Sequence, residues 1–288
     1  MAVAATPAAT TAPADTRLAS LRAIYIIWYR DILRYWRDRW RLVASLAQPL
    51  LFLIVFGSGL SSSLRSGLSF GSGGLSYIQF MYPGIIGMAI LFTAIFGAMS
   101  IVWDREFGFL KEVLVAPIDR WSVAIGKALG GTTQAMIQGL VLLVLAPLVG
   151  VKLSPLTVLE IVPLAAVLAF GLSAFGVALA SMMKSLQGFQ VVMNFLMMPM
   201  FFLSGALFPL TNLPGWMTVL TRLDPASYGI DPLRRVVLSD SGLPGALIDG
   251  LSLSINGHAL AIPLEAGIMF AFGAVMLAIA VINFQRRD

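Results

Sequence analysis

Residues that could carry catalysis are few in this sequence, and no Ser/His/Asp set, metal-ligand cluster or pair of intramembrane carboxylates is evident. The 288 residues include one histidine, His258, and no cysteine, which excludes disulfides, thiolate metal sites and sites built from several histidines. A phosphate-binding loop requires the pattern G-x-x-x-x-G-K-[ST]. Gly126 and Lys127 are followed by Ala128, and position 121 is Trp rather than Gly. We therefore expect no ATP hydrolysis by this chain alone.

A short charged segment, residues 104–117, interrupts two long apolar runs and has the pattern of a docking helix. Its apolar residues recur at helical spacing, its charged residues lie between them, and Pro117 ends the helix. Apolar side chains would supply the contact area with a partner, and the charges would fix the position of the helix on that partner. The alternative is an ordinary polar connection between spans with no special role.

A second candidate for partner contact is the basic segment at residues 17–41. At about 100° per residue, four arginines fall within roughly 60° of one another on a helix, while Trp28, Ile32 and Tyr35 fall on the opposite side. This pattern predicts an amphipathic helix in the membrane interface, with aromatic anchors on one side. The arginines would either bind anionic lipid headgroups only or also contact a cytoplasmic partner. They are Arg30, Arg34, Arg37 and Arg41.

Polar and methionine side chains within the apolar runs are the candidates for lining a translocation path. Intramembrane polar groups usually hydrogen-bond between helices, which is the alternative for each of them. The methionine-rich run at residues 193–200 would form a pliable apolar wall, or would simply pack. The path-lining candidates are Gln48, Gln134, Gln138, Asn194, Met197 and Phe201.

Ionisable residues are absent from the middles of the apolar runs. Glu160 and Glu265 fall in the first turns of two runs, where we expect them near the outer headgroups. Lys127 falls in the first turns of another run, where its long side chain could reach the headgroups. Because an ion-driven carrier normally needs a buried ionisable relay, this distribution argues against that class.

The overall composition predicts a chain that needs lipid as its solvent. Hydrophobic residues make up 58% of the chain and charged residues 11%, with a mean hydropathy of +0.89. Soluble domains carry about 25% charged residues. The net charge of +5 comes from basic residues at the edges of apolar runs, so it indicates membrane topology rather than nucleic-acid binding.

We predict an all-α integral membrane fold of six transmembrane helices preceded by an amphipathic interfacial helix. Residues 1–16 are predicted to be a disordered tail, residues 17–41 the cytoplasmic interface helix, and residues 42–288 one membrane domain. We expect a Gly/Ser-rich outer loop at residues 61–76 and short extracellular helices at residues 209–240. The predicted spans are residues 42–60, 80–103, 123–149, 156–183, 186–208 and 263–284.

The distribution of basic residues predicts the orientation. Of the 19 lysines and arginines, 14 fall on the side that would hold both termini and the segment at residues 104–117. Since basic residues concentrate in cytoplasmic loops, both termini are predicted to be cytoplasmic.

The order of several short motifs resembles the membrane subunit of an ABC type-2 exporter. The nearest branches are the drug-resistance and the nodulation-type lipo-oligosaccharide permeases. No single motif is specific; the ordered set is, and it covers nearly the whole chain after residue 17. The set comprises Gln48-Pro49, the motif RE-x-G-x-L-x-x-x-x-x-x-P at residues 105–117, Gly126-Lys127, LSGALFP at residues 203–209, LPGW at residues 213–216 and LDPASYGID at residues 223–231.

This resemblance implies a subunit that works as a dimer and binds two copies of an ATP-hydrolysing subunit. ATP and Mg²⁺ would bind that ATPase, and no cofactor is expected on this chain. The segment at residues 104–117 would be the coupling helix in a cleft of the ATPase, residues 17–41 would flank it, and residues 209–240 would cap the exit path. The expected location is a bacterial-type inner or plasma membrane. The coupling residues would be Arg105, Glu106, Phe109, Leu110 and Glu112.

Three hypotheses for function stay open at this point. An exporter subunit would carry a hydrophobic or amphiphilic substrate: a drug-like molecule is favoured because the path has few charges, and a lipid-linked oligosaccharide or polysaccharide is the alternative. A secondary carrier would transport with an ion gradient and no ATPase. A membrane scaffold would not transport at all.

Overall fold

Helices account for almost all of the structure. The computed structural model describes residues 16–65, 77–107, 119–151, 153–211, 213–255 and 258–286. The predicted tail therefore falls almost wholly outside the described residues, as do Phe109, Leu110 and Glu112 of the predicted coupling helix. The helices in the described ranges are α1 (Thr16–Arg37), α2 (Arg39–Arg65), α3 (Tyr77–Gly97), α4 (Met99–Glu106), α5 (Arg120–Leu145), α6 (Pro155–Met182), α7 (Leu186–Leu203), α8 (Gly215–Leu223), α9 (Ser227–Ser239), α10 (Gly245–Gly250) and α11 (Ile262–Arg286).

Two minor elements complete the secondary structure of the described ranges. A 3₁₀ turn, Ala146–Val149, extends α5, and Gly150 follows it with φ 81°, a left-handed conformation that glycine adopts without strain. The two-residue strands β1 (Ser254–Ile255) and β2 (His258–Ala259) pair antiparallel before α11.

Five helices in the described ranges are long and apolar enough to cross a membrane: Tyr77–Glu106, Arg120–Val149, Pro155–Met182, Leu186–Leu203 and Ile262–Arg286. The count rises to six if the bent pair formed by Leu18–Arg37 and Leu42–Gly57 is one span. The all-helical prediction is therefore confirmed, with five to six candidate spans. The interfacial position of the first helix and the orientation of the termini stay predictions.

The helix α3 lies at the centre of the bundle, packed against α2, α5, α6 and α9. It is apolar on nearly all sides, as is expected of a helix that neighbours surround completely. The Tyr82 hydroxyl donates a hydrogen bond to the carbonyl of Leu142 on α5. A break at Ala98 separates α3 from α4 within one apolar run, and this break was not predicted from the sequence.

The start of α6 shows why helices begin where they do in this chain. The Ser154 hydroxyl accepts a hydrogen bond from the Thr157 amide at 3.2 Å, and Pro155 occupies the first helical position. Asp240 Oδ2, at the end of α9, accepts a further hydrogen bond from the Thr157 hydroxyl at 2.8 Å. The connection after α9 is thereby fixed to the start of α6.

Two predicted connections differ from the structure. The helix α2 continues to Arg65, so the first part of the predicted loop at residues 61–76 is helical, because each residue added to an existing helix gains a backbone hydrogen bond. The short helices predicted at residues 209–240 are present as α8 and α9. However, α9 is largely buried against α3, α6 and α11. That α8 and α9 are extracellular stays a prediction.

Candidate functional site

The helix α1 packs closely on α5 at two glycines. A Cβ atom added at Gly126 would lie 3.0 Å from Ile27 Cβ, and one added at Gly130 would lie 3.2 Å from Asp31 Cβ. The GxxxG spacing on α5 therefore lets the α1 side chains reach deep between the helices. This close approach brings the buried residues of α1 within reach of polar groups on α5.

One product of this packing is a polar link from α1 into the bundle. The Tyr35 side chain, which the sequence placed among membrane anchors, is buried and donates a hydrogen bond to Gln138 Oε1 at 3.2 Å. Ser45 on α2 donates to the same oxygen at 3.0 Å, and Trp28 donates from Nε1 to the Thr133 hydroxyl at 3.0 Å. The prediction that Tyr35 anchors α1 in lipid is therefore wrong, since the Gln138 acceptor on α5 binds its hydroxyl.

The most buried charge near this interface is Lys127. Its side chain is 2% exposed, and Nζ lies 3.2 Å from both carboxylate oxygens of Asp31 and 3.1 Å from Asp104 Oδ2. The third acceptor is the Ser100 hydroxyl at 2.9 Å. Three acceptors match the three hydrogens of an ammonium group. The prediction that Lys127 reaches the headgroups is therefore wrong, because two carboxylates bind it inside the bundle.

Arg30 completes this cluster, which we call the inner charge cluster: Arg30, Asp31, Asp104 and Lys127. Arg30 Nη2 lies 3.1 Å from Asp104 Oδ2 and 3.7 Å from Asp31 Oδ1, and its side chain is 47% exposed. Two cations and two carboxylates balance, so no charge of the cluster is left without an opposite partner. The sequence reasoning selected Arg30 but missed the other three members. The available signal was two acidic residues. Asp31 lies within the basic segment at residues 17–41, and Asp104 directly follows an apolar run.

Two further residues next to this cluster hydrogen-bond to the ends of other helices. Arg105 Nη1 donates to the carbonyls of Ala180, Ser181 and Met183 at the carboxyl end of α6, the second at 3.1 Å. Glu106 Oε2 accepts from the Leu186 amide at 2.9 Å, at the amino end of α7. Each charge has the sign that stabilises the helix end that it contacts.

The consecutive residues Asp104, Arg105 and Glu106, which we call the DRE hub, therefore bind four helices. Asp104 contacts α1 and α5, Arg105 contacts α6, and Glu106 contacts α7. Beyond the undescribed segment at residues 108–118, Arg120 donates to the carbonyls of Phe284 and Gln285 at the end of α11, both at 3.3 Å. Both ends of that segment are thus bonded to the bundle.

The other arginines of the predicted interface helix do not belong to the cluster. Arg34 and Arg37 are exposed, as an interfacial or partner-binding stripe requires, and the side chain of Arg41 is outside the described residues. The predicted arginines therefore do not act as one stripe, because Arg30 binds carboxylates of the same chain. The coupling role of Arg105 and Glu106 stays a prediction, now with partners in the same chain.

A cavity of about 560 Å³ lies between the α1–α2 bend and the helices α3, α4 and α5. Two predicted path residues, Gln48 and Gln134, line it. Aromatic and methionine side chains form most of its apolar wall, and polar and charged groups of α1 line the rest. The apolar wall includes Met88, Phe92, Phe96, Met99 and Trp103.

The remaining path candidates occupy different surroundings. Met197 and Phe201 on α7 are buried, and the Phe201 ring meets Phe52 edge-on with centroids 5.8 Å apart. Asn194 lies on the exposed side of α7. Gln138 is held by its hydrogen bonds to Tyr35 and Ser45. The structure therefore brings Gln48 and Gln134 to one cavity and does not bring all six residues to one surface.

A second cluster of charges lies at the opposite end of the bundle, and we call it the outer charge cluster. Its members are Asp231, Arg234 and Arg235 of α9, Asp249 of α10 and Glu265 of α11. Glu265 is fully buried within the protein, where α9 packs against α11. That it lies at the depth of the outer headgroups stays a prediction. Burial raises the pKa of Asp231 above its usual range, although Arg234 opposes this.

Asp224, just before α9, is a further buried carboxyl. Its Oδ1 accepts a hydrogen bond from the Ala226 amide at 3.0 Å, and its side chain is almost inaccessible. Burial raises the pKa of Asp224 from 3.8 to about 8, against the lowering effect of that hydrogen bond.

Comparison with known proteins assigns this architecture to a family. The family model described as ABC-2 type transporter matches residues 22–238. The chain is 31% identical to a putative transport permease, ycf38, of Cyanophora paradoxa over 84% of each chain. It is 26% identical to nodulation protein J of Rhizobium leguminosarum bv. trifolii, over 77% of this chain and 80% of that protein.

A third relative is a probable multidrug ABC transporter permease, YbhR, of Escherichia coli (strain K12). It is 29% identical over 59% of this chain, which matches 46% of that protein. Relatives of this kind are transport permeases, and the family implies an ATPase as a separate subunit of the transporter. The chain is thus a multi-pass membrane protein that belongs to the ABC-2 type transporter family.

Proposed function

We propose that this chain is the permease subunit of an ATP-driven exporter and that two copies form the path with two ATPase subunits. The observation that carries this proposal is the bonding at both ends of the segment at residues 108–118. The DRE hub precedes that segment and Arg120 follows it. An ATPase that moves this segment would therefore displace α1, α5, α6, α7 and α11 together.

The proposed coupling depends on stiff contacts at helix ends rather than on a large binding energy. Charge-assisted hydrogen bonds are short and directional, so they fix the position of the groups that they join. The inner charge cluster adds a cross-link between Asp104, which precedes the segment, and Lys127, which follows it. A displacement of the segment would therefore reach α1 through Asp31 and Arg30.

The cavity beside α1 supports a hydrophobic or amphiphilic substrate. Its wall combines aromatic rings and methionines with a few carboxamides, which suits an apolar body with a polar group. A drug-like molecule is favoured, in line with the name of the Escherichia coli relative. Nodulation protein J matches a larger share of this chain, which keeps a lipid-linked oligosaccharide as the second candidate.

The exposed side of α7 supports assembly with a second copy. Gln187, Gln190 and Asn194 are exposed at helical spacing, next to Phe195 and Met198. Carboxamides facing hydrocarbon would lack hydrogen-bond partners, and a second α7 would supply them. The homodimer is therefore the assembly that we propose.

Two other classes of function make different predictions. An ion-driven carrier normally needs a buried ionisable relay that is free to exchange its ion, whereas the carboxylates of Asp31 and Asp104 beside the cavity are held by Lys127 and Arg30. A scaffold would need no path at all. A carrier would transport without an ATPase, and a scaffold would not transport with or without one.

The test is transport by the purified protein in liposomes, with and without the ATPase that co-purifies with it. We expect export of an apolar fluorescent dye only when that ATPase and ATP are present. Accumulation driven by a proton or sodium gradient without the ATPase would overturn the proposal. The absence of a co-purifying ATPase from native membranes would do the same.

A further inference from the structure

The two carboxyl groups of the outer charge cluster lie next to each other inside the protein. The side chains of Asp231 on α9 and Glu265 on α11 are both fully buried and act on each other electrostatically. Asp231 Oδ2 accepts a hydrogen bond from the Leu253 amide at 2.9 Å. Asp231 Oδ1 and both Oε atoms of Glu265 have no hydrogen-bond partner among the described residues. These carboxyls belong entirely to one protomer, so their burial does not depend on a second copy.

The cations around this pair do not balance it. Arg234 is the nearest, with Nη1 3.8 Å from Asp231 Oδ1, and it is itself buried. Arg235 also acts on the pair, but its guanidinium is engaged by Asp249 Oδ1 at 2.9 Å and by the Leu260 carbonyl. Asp249 is half-exposed and takes up part of the charge of Arg235. The two fully buried carboxyls therefore share Arg234 and only part of Arg235, so their negative charge is incompletely compensated if both are ionised.

An uncompensated buried charge is costly, and buried sites commonly remove it by binding a proton. A metal ion is a poor alternative here. No group of three or more metal-ligating side chains occurs among the described residues, and the Arg234 guanidinium already occupies the neighbourhood of Asp231. A proton instead lets one carboxyl donate a hydrogen bond to the other, which satisfies both groups.

We propose that Asp231 and Glu265 together bind one exchangeable proton, which joins α9 to α11 at this end of the bundle. With the proton present, the outer charge cluster is neutral and the carboxyls attract. When the proton is lost, two adjacent carboxylates repel and the contact between α9 and α11 weakens. The bonds of Arg234 extend this effect, because it donates to the Gly205 carbonyl after α7 and lies over the Phe80 ring of α3, 4.8 Å from its centroid.

One consequence is a pH dependence with a definite sign. A carboxyl that keeps its proton in the folded protein, when the unfolded chain has lost it, makes stability fall as pH rises. The charged or titratable groups that face the pair are Arg234, Arg235 and Tyr228 of α9 and, through Arg235, Asp249 of α10. The Tyr228 hydroxyl is held by a hydrogen bond to the Arg222 carbonyl at 2.8 Å.

The direct test is infrared spectroscopy of the full chain in lipid nanodiscs near neutral pH. All spectra are taken in an Asp224→Asn background, because burial raises the pKa of Asp224 to about 8 and its own carboxylic-acid band would overlap. We expect a carboxylic-acid C=O band that shifts in D₂O, disappears on raising the pH and is missing when Asp231→Asn and Glu265→Gln are both added. The control variant Glu160→Gln alters an exposed carboxylate of α6, outside the cluster, and should keep the band. A background spectrum without the band, or the same band after both substitutions, would overturn the proposal.

A second measurement uses thermal unfolding between about pH 5 and pH 8. The wild type should lose stability across this range, and Glu265→Gln should reduce that loss because its amide replaces the protonated acid. If Glu265→Gln does not fold, Asp231→Asn serves the same purpose. An unchanged pH slope in the variant, or a wild-type slope of opposite sign, would contradict a shared proton. A rise of wild-type stability with sodium concentration at fixed ionic strength would show a metal ion instead.

Discussion

Lys127 shows how a single residue organises one end of this bundle. Its ammonium group has acceptors on α1 and α4 and is almost fully buried. Breaking a buried ion pair by removing one partner typically costs about 3–5 kcal/mol, because the other charge is left uncompensated. The inner charge cluster is therefore a set of mutually dependent residues rather than four separate interactions.

The first prediction concerns this lysine. Lys127→Met keeps the length of the side chain but leaves Asp31 and Asp104 with Arg30 as their remaining partner, so we expect a loss of about 3–5 kcal/mol of stability. Lys184→Met, at an exposed position between α6 and α7, is the matched control and should change stability by less than about 0.5 kcal/mol. Thermal unfolding in nanodiscs measures both. Equal melting temperatures for the two variants would show that the buried pairs contribute nothing.

The second prediction concerns Asp224, whose pKa burial raises from 3.8 to about 8. A folded-state pKa above the unfolded value means that stability falls as pH rises from about 4 to about 8. Asp224→Asn resembles the protonated acid and keeps an acceptor for the Ala226 amide. We expect its stability to fall less over that range than that of the wild type, by comparison of melting temperatures. A parallel decline in both proteins would contradict this assignment.

At the scale of elements, the spans were more predictable than their contacts. Each of the five long helices coincides with a predominantly apolar run of the sequence, and lipid admits few alternatives for such a run. The position of α9 was not predictable, because its amphipathic pattern indicates an interface, whereas Asp231 and Arg234 are paired in the interior. The pairing of Lys127 with Asp31 could not be predicted from the sequence either, because the two residues are 96 positions apart along the chain.

The third prediction tests the packing of α1 on α5. Gly126→Ala places a Cβ 3.0 Å from Ile27 Cβ and 3.2 Å from the Ile24 carbonyl, so α1 must shift and stability should fall. Gly267→Ala on α11 is the matched control, because open space surrounds its added Cβ. A helical Gly→Ala change without a clash is expected to stabilise by roughly 0.5–1 kcal/mol. Melting temperatures that change in the same direction for both variants would show that close approach at Gly126 is unimportant.

At the scale of the whole molecule, the two charge clusters mark the two ends of one bundle. The inner charge cluster and the DRE hub join the helices beside the segment that we assign to ATPase docking. The outer charge cluster joins α9 to the starts of α3 and α11 and to the turn after α7. Because α6 and α7 are bonded at both ends, a displacement at one end would be transmitted to the other.

The central claim is that the DRE hub couples ATP hydrolysis to transport, and Arg105→Gln tests it most directly. The control is Arg222→Gln, because Arg222 likewise donates to a main-chain carbonyl, that of Ser254, but at the opposite end of the bundle. The measurement is dye transport per ATP hydrolysed by the reconstituted complex. We predict a loss of at least about tenfold for Arg105→Gln, in keeping with lost charge-assisted bonds of ~1.5–3 kcal/mol, with the ATPase still bound and active and the control unchanged. An unchanged transport-to-hydrolysis ratio in Arg105→Gln would contradict the account.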